Sequence, residues 1–344
     1  MNAVKRFFLI LSLFVVVAVI ITGWLFFGSN TNFSEDKKSF YIKTGSTFFN
    51  VMTDLKDQQI IKNPAIFKLA AQELKYDLNV KAGKYVIVKG ASIYSITKIL
   101  KFGRQTPVNL IINKLRTKED LAQKIGANFE CDSAQFISLI NNPDSLLKIG
   151  LDTNTIMTAV IPNTYSILWN TTPAKIFKKL YAAQQIFWTN DRKQKAVALK
   201  LSTSEVYTLA SIVEEESNKQ EDKGKIASVY LNRLSSGMRL SADPTVIFAL
   251  KDWTIRRVYK KYLQFVSPYN TYLNNGLPPG PICTPSIKTI DAVLDAPSTN
   301  YLYFVAQPNL TGFSNFASTY QEHMAFAKQY QDWLTEYLNA KQAH

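Results

Sequence analysis

Phe7–Phe27 reads FFLILSLFVVVAVIITGWLFF, 21 consecutive residues without a charge. A run of that length crosses the hydrocarbon of a bilayer as one helix and is too long for a typical core helix. Lys5 and Arg6 precede it, so the positive-inside rule leaves residues 1–6 as a cytoplasmic tail and puts everything after Gly28 on the far side. A cleaved signal peptide is the alternative. The length of the run and the bulky Gly23-Trp24-Leu25-Phe26-Phe27 segment at its end favour an anchor.

The anchor gives the net charge of +14 its meaning. Residues 31–130 hold 17 basic and 9 acidic side chains and residues 131–200 hold 8 and 4, whereas residues 201–344 hold 13 of each. The positive charge belongs to the membrane-proximal half. It fits anionic lipid headgroups, an anionic wall polymer or a plain solvated surface alike. The extracytoplasmic placement and the neutral C-terminal half argue against nucleic acid. Cys131 and Cys283 lack metal-ligand spacing; a single disulfide between them is left open.

Residues 28–39 are polar and read as a linker. An internal repeat follows. IKTGSTFFNVMTDLK (42–56) and IVKGASIYSITKILK (87–101) share the pattern I-x-x-G-x-[ST] and an amphipathic run. Each predicts a strand, a glycine turn, an N-cap (Thr47, Ser92) and a helix. With a helix from Pro64 and a strand at Gly83–Val88, residues 40–105 make a small α+β module. Residues 106–160 form a connecting subdomain. It has a strand at Val108–Ile112 and a helix opened by Thr117-x-x-Asp120. Residues 161–340 form a larger α+β domain.

Chemistry concentrates in that last domain. ASIVEEES (210–217) ends a helix that starts with the capping box Ser202-x-x-Glu205. Val206, Leu209, Ala210 and Val213 define its apolar face. At 100° per residue, Glu214 and Glu216 fall at about +80° and −80°, on the two borders of that face, and Glu215 points to solvent. Burial at such a border raises a carboxyl pKa and makes a proton donor for neutral pH. Glu214 is the predicted donor, with Glu216 holding the site's shape or pairing with Arg233. A solvated acidic face is the bland reading of the run. Further along, Ile226–Leu234 (IASVYLNRL) predicts a second amphipathic helix, and Asp243-Pro244 predicts a turn. SPYNTYLNNGLPPGPICTPS (267–286) predicts a stiff, shaped loop offering aromatic faces and amides. Tyr301–Ala306 predicts a strand that Tyr301 and Tyr303 serve by packing, and Ala317–Leu338 a helix. The only histidines are His323 and His344, which disfavours a Ser-His-Asp hydrolase.

The order of these pieces resembles the endolytic murein transglycosylases, the YceG-like family. ASIVEEES, VYLNRLSSGMRLSADPTVIFAL (229–250), YNTYLNNGLPPGPICTPS (269–286) and YLYFVA (301–306) carry the resemblance. It implies a LysM-like module at 40–105 and a catalytic domain at 161–340, held on the extracytoplasmic or periplasmic side of the cytoplasmic (inner) membrane. It implies lytic cleavage of peptidoglycan between N-acetylmuramic acid and N-acetylglucosamine, leaving 1,6-anhydro ends. No cofactor is implied. One carboxyl suffices, as acid toward the glycosidic oxygen and then as base toward the C6 hydroxyl, whereas most glycosidases use two. By motif the catalytic carboxyl falls on Glu214. Glu216, Asn232, Arg233, Asp243, Tyr269, Asn270, Thr271 and Tyr272 are the groove residues. Termination of growing strands beside cell-wall synthases is a further implication. The chain departs from the family pattern at Asn163, where an acid is usual, at Ser314, where some members carry histidine, and at Pro281 and Ser286. A hydrolytic muramidase pairing Glu214 with Asp243 and a non-catalytic glycan-binding scaffold are the competing readings.

Overall fold

The computed structural model describes residues 3–342, so the first two residues of the predicted tail and His344 lie outside the described residues. The protein is mixed α+β with an apolar N-terminal helix. It divides into two compact units. One runs to Asn109 and takes back Asn128–Cys131 and Ser166–Thr172; the other holds Leu110–Ala127, Asp132–Tyr165 and the chain from Pro173 onward. The segment 106–160 is therefore shared, mostly with the second unit.

In the first unit, the most apolar 18-residue window of α1 (Ala3–Phe27) has a mean hydropathy of 2.8, and none of that window is buried. By length and composition it fits a membrane anchor. Its last turn meets the module behind it, where the Phe27 ring lies 5.1 Å from that of Tyr94. The module runs β1 (Lys37–Ile42), α2 (Phe48–Asp57), α3 (Pro64–Glu73), β2 (Gly83–Val88) and α4 (Ile93–Lys101). The strands pair antiparallel, with Phe40 opposite Tyr85. Thr47 and Ser92 each cap the following helix by accepting from a backbone N–H three residues on. The repeat is also a repeat of burial: Ile42 and Ile87, then Leu55 and Leu100, occupy matching positions in one core. The polar 28–39 segment is not free. The Asn30 Oδ1 accepts from the Lys62 and Asn63 amides and the Thr31 Oγ1 from Gly90, stitching it to the module.

Strands β3 (Val108–Ile112) and β4 (Asn163–Ile167) form a two-stranded sheet.

The second unit contains α5 (Lys118–Asn128), α6 (Ser133–Ile140), α7 (Pro143–Leu147), α8 (Pro173–Phe187), α9 (Asn190–Ala198) and α10 (Thr203–Glu216). Then follow α11 (Gln220–Ser235), α12 (Asp243–Leu250), α13 (Lys260–Leu263), α14 (Ile287–Leu294), the antiparallel hairpin β5 (Tyr303–Ala306) and β6 (Ser314–Ala317), and α15 (Tyr320–Gln342). The predicted Thr117–Asp120 and Ser202–Glu205 caps are both formed.

Four local expectations are corrected. Every residue of α10 from Val206 to Val213 is buried, so the helix is a core rod and not a one-faced surface helix. Neighbours α9, α11, α12 and α14 surround it, and each fully buried aliphatic side chain contributes roughly 1.5–3 kcal/mol. Asp243 and Pro244 open α12 instead of forming a free turn, as the fixed φ and missing N–H of proline allow in a first helical turn. Helix α11 begins at Gln220, ahead of the expected Ile226, which brings Lys223 into the protein. The last helix begins at Tyr320, because Ser314–Ala317 is strand β6.

Candidate active site

A rod buried on all sides ends in three acids, and successive residues turn through 100°. Glu214, Glu215 and Glu216 therefore leave α10 in three directions, each into a different setting.

Glu214 meets donors. Its Oε2 accepts from the Lys223 Nζ at 3.0 Å, from the Ser286 amide and hydroxyl, and from the Thr289 hydroxyl. Lys223 is only 7% exposed and has no other acid beside it among the described residues. Burial pushes the Glu214 carboxyl up, but the Thr289, Lys223 and Ser286 bonds outweigh it and the net shift is downward. This corrects the expected upward shift of Glu214. The residue stays an anion that caps the start of α14 and neutralises a buried lysine. It lines a cavity of about 410 Å³ shared with Asn163 and Ser286.

Glu215 does not face open solvent. Lys114 Nζ lies 2.6 Å from its Oε1 and Arg116 Nη2 3.4 Å from its Oε2. Arg116 in turn covers the Trp253 ring at 4.8 Å. The acid ties α10 to the chain just after β3.

Glu216 meets apolar surface and a single donor. The Tyr230 hydroxyl donates to Oε1 at 2.6 Å. Burial raises the carboxyl to about 7; the Tyr230 bond and Arg233 oppose this, and the nearby Asp243 and Glu215 charges add to it. Tyr230 itself lies edge-on to Phe304, with ring centroids 6.0 Å apart. Glu216 lines two depressions, one of about 700 Å³ with Arg233, Asp243 and Tyr272, the other of about 460 Å³ with Lys219, Phe304 and Ser314. The two depressions share Glu216 and Phe304 in their linings.

The predicted groove residues separate into two groups. Arg233, Asp243 and Tyr272 do join Glu216. Asp243 Oδ1 accepts from the Tyr272 hydroxyl at 2.6 Å. Arg233 donates to the Leu302 and Leu240 carbonyls at 2.7 and 2.6 Å, and its guanidinium lies 5.3 Å from the Tyr303 ring. The others build the walls. Asn232 donates to the Thr299 and Tyr301 carbonyls. Asn270 is fully buried and donates to the Leu263 and Phe265 carbonyls. The Thr271 hydroxyl accepts from the Ala242 amide and meets Thr245. Tyr269 packs on Phe248 at 4.7 Å. A proline-rich loop has few backbone bonds of its own, so its buried polar side chains satisfy the chain instead of a ligand.

Sequence reasoning missed one wall of the cleft. Tyr303, Tyr320 and His323 line the larger depression, with the Tyr303 and His323 rings stacked at 5.2 Å. Burial and Arg233 both lower the imidazole pKa, and its Nδ1 is buried without a hydrogen-bond partner. The i, i+3 spacing of Tyr320 and His323 opposite a strand tyrosine was the available signal. Both cysteines are buried, and burial pushes the Cys283 thiol up.

Burial raises the Glu216 carboxyl, and aromatic and guanidinium groups line the depression beside it, a setting suited to acid–base chemistry. The chain belongs to the YceG-like family, whose family model matches residues 40–329. It is 29% identical over 304 residues to the endolytic murein transglycosylase of Bacillus subtilis (strain 168), covering 84% of this chain and 83% of that protein. Its identity to the endolytic murein transglycosylase of Streptococcus pneumoniae (strain ATCC BAA-255 / R6) is 26% over 316 residues, 82% of this chain and 56% of that longer protein. The crystal structure of a YceG-like protein from Listeria monocytogenes superposes with a TM-score of 0.56 at 30% identity, over 85% of this chain and 99% of that one.

Proposed function

We propose that this protein is a membrane-anchored lytic transglycosylase that cuts peptidoglycan strands internally, with Glu216 as its acid–base group. The observation that carries the reading is the Glu216 carboxyl, raised to about 7 by burial and shared by two adjoining depressions. Protonated, it donates to the oxygen joining N-acetylmuramic acid to N-acetylglucosamine, and the C1–O bond breaks. The resulting carboxylate takes the proton of the muramyl C6 hydroxyl as that oxygen closes on C1. Glu216 ends protonated, no water is consumed, and the product is a 1,6-anhydro end. The catalytic role that the motif comparison gives Glu214 passes to Glu216 in this reading. A lysine-bound anion has no proton to give, and Glu214 is needed to hold Lys223 and α14 in place.

The names of the relatives support this substrate and this bond cleavage. The uncharged Phe7–Phe27 stretch of α1, preceded by Lys5 and Arg6, supports anchoring with the short tail in the cytoplasm. The strand–helix–helix–strand order of residues 37–88 supports a LysM-like module. Anchoring beside the site of synthesis suits termination of nascent strands, with wall synthases as neighbours.

One observation favours a second reading. Asp243 lines the same depression as Glu216, so a hydrolase could use the two as a carboxyl pair. Mass spectrometry of digested glycan separates the two. Ends lighter by one water than a hydrolysis product are expected; reducing ends alone would establish the hydrolase.

A further inference from the structure

Two guanidinium groups line the larger depression beside Glu216, those of Arg233 and Arg239. Among the described residues, no carboxylate lies within ion-pairing distance of either. Their protein partners are neutral. Arg233 donates to two backbone carbonyls, and the Arg239 Nη1 donates to the Tyr272 carbonyl at 3.1 Å. These bonds fix the orientation of each group without cancelling its charge. An oriented, unneutralised guanidinium in a cleft is a carboxylate receptor, because its remaining N–H groups form a planar fork.

The chain invests local structure in this placement. Helix α11 ends in a Schellman turn: Gly237 has φ +66°, its amide donates to Leu234, and the Met238 amide donates to Arg233. The chain reverses there and sets Arg239 between Met238, at the cleft, and the fully buried Leu240. Of the two acids lining the depression, Asp243 already accepts the Tyr272 hydroxyl and Glu216 the Tyr230 hydroxyl.

We propose that Arg239, with Arg233 behind it, reads a carboxylate carried on the glycan strand and makes this cleft selective for acidic over neutral β-1,4-linked amino-sugar polymers. The proposal rests on the reading of the cleft as a glycan site. That carboxylate has two sources, the free lactyl ether of a peptide-stripped muramyl residue or the carboxylates of its stem peptide.

The test reads binding alone, in the full-length Glu216→Gln protein held in detergent. Three strands of equal length are compared: a chitin oligosaccharide, a peptide-stripped murein oligosaccharide and the same strand with its stem peptides. The expected result is that acidic strands bind about tenfold or more tightly than chitin. Adding Arg239→Gln removes that factor while leaving chitin affinity unchanged; Arg239 is exposed, so the fold tolerates the change. Preference for both acidic strands or for either one supports the proposal and identifies the carboxylate. Equal binding of all three, no binding of any, or a preference that survives Arg239→Gln overturns it. Failure of the wild-type protein to cleave any strand would instead count against the catalytic reading, which the binding comparison does not depend on.

Discussion

Glu214 and Glu216 stand two residues apart on one helix, and their carboxyls are held in opposite states. Around Glu214 the fold gathers an ammonium, two hydroxyls and a backbone amide. Around Glu216 it gathers one phenol, apolar surface and like charges. Both are withdrawn from water to some degree, so burial alone does not decide the sign of a pKa shift. The count and charge of donors decides it. The first carboxyl is therefore lowered and paired with Lys223, and the second is raised to about 7, which suits the proton-donor role proposed for it.

The largest effect that would break this comparison is kinetic. Glu216→Gln should lower turnover of glycan strands by about 10²–10⁴-fold, the usual contribution of a general acid–base group, with an unchanged circular dichroism spectrum. Glu214→Ala should act on stability instead. It leaves Lys223 buried and unpaired, which costs about 3–5 kcal/mol, and shows as a lower denaturant midpoint. Turnover per folded molecule should stay within about tenfold. Activity lost by Glu214→Gln in a protein that is still folded would return the catalytic role to that residue.

Effects of pH sharpen the contrast. Folded Glu216 keeps its proton to about 7, while an unperturbed glutamate releases it near 4.5. The native state therefore binds more protons across that window, and stability falls as pH rises through it. Glu214 behaves oppositely: its contribution is present above 4.5 and is lost as pH falls through its lowered value. Turnover that needs protonated Glu216 should decline as pH rises through about 7. Tyr230→Phe removes a bond that favours the ionised form, so it should move that decline to higher pH in a pH–rate profile. Glu215 should matter least. Its partners Lys114 and Arg116 are 42% and 39% exposed, so Glu215→Gln should cost about 1 kcal/mol or less in thermal unfolding.

Local signals were legible in the sequence. The apolar run, both repeat N-caps, the capping box of α10, and strands β2 and β3 were all readable from spacing and residue type. The three acids were also legible as distinct by helical phase. Which of them has its carboxyl raised was not. The partners that fix Glu214 come from the first turn of α11 and from Ser286 and Thr289, some seventy residues on, and those that bury Glu216 come from α11 and β5. Asn270 and Thr271 looked like ligands for the same reason that they are scaffolding, since polar side chains in an irregular loop serve whichever backbone groups lack partners. The Tyr303–His323 wall was set aside because strand packing and a surface helix explained each residue alone.

The two carboxyls can be observed directly. Carboxyl carbon-13 chemical shifts of the full-length protein, assigned through Glu214→Gln and Glu216→Gln and followed across pH, report each titration separately. An apparent pKa near 7 for Glu216 and one below 4.5 for Glu214 is the predicted result. The reverse order, or a Glu216 that titrates as an ordinary glutamate, would contradict the account.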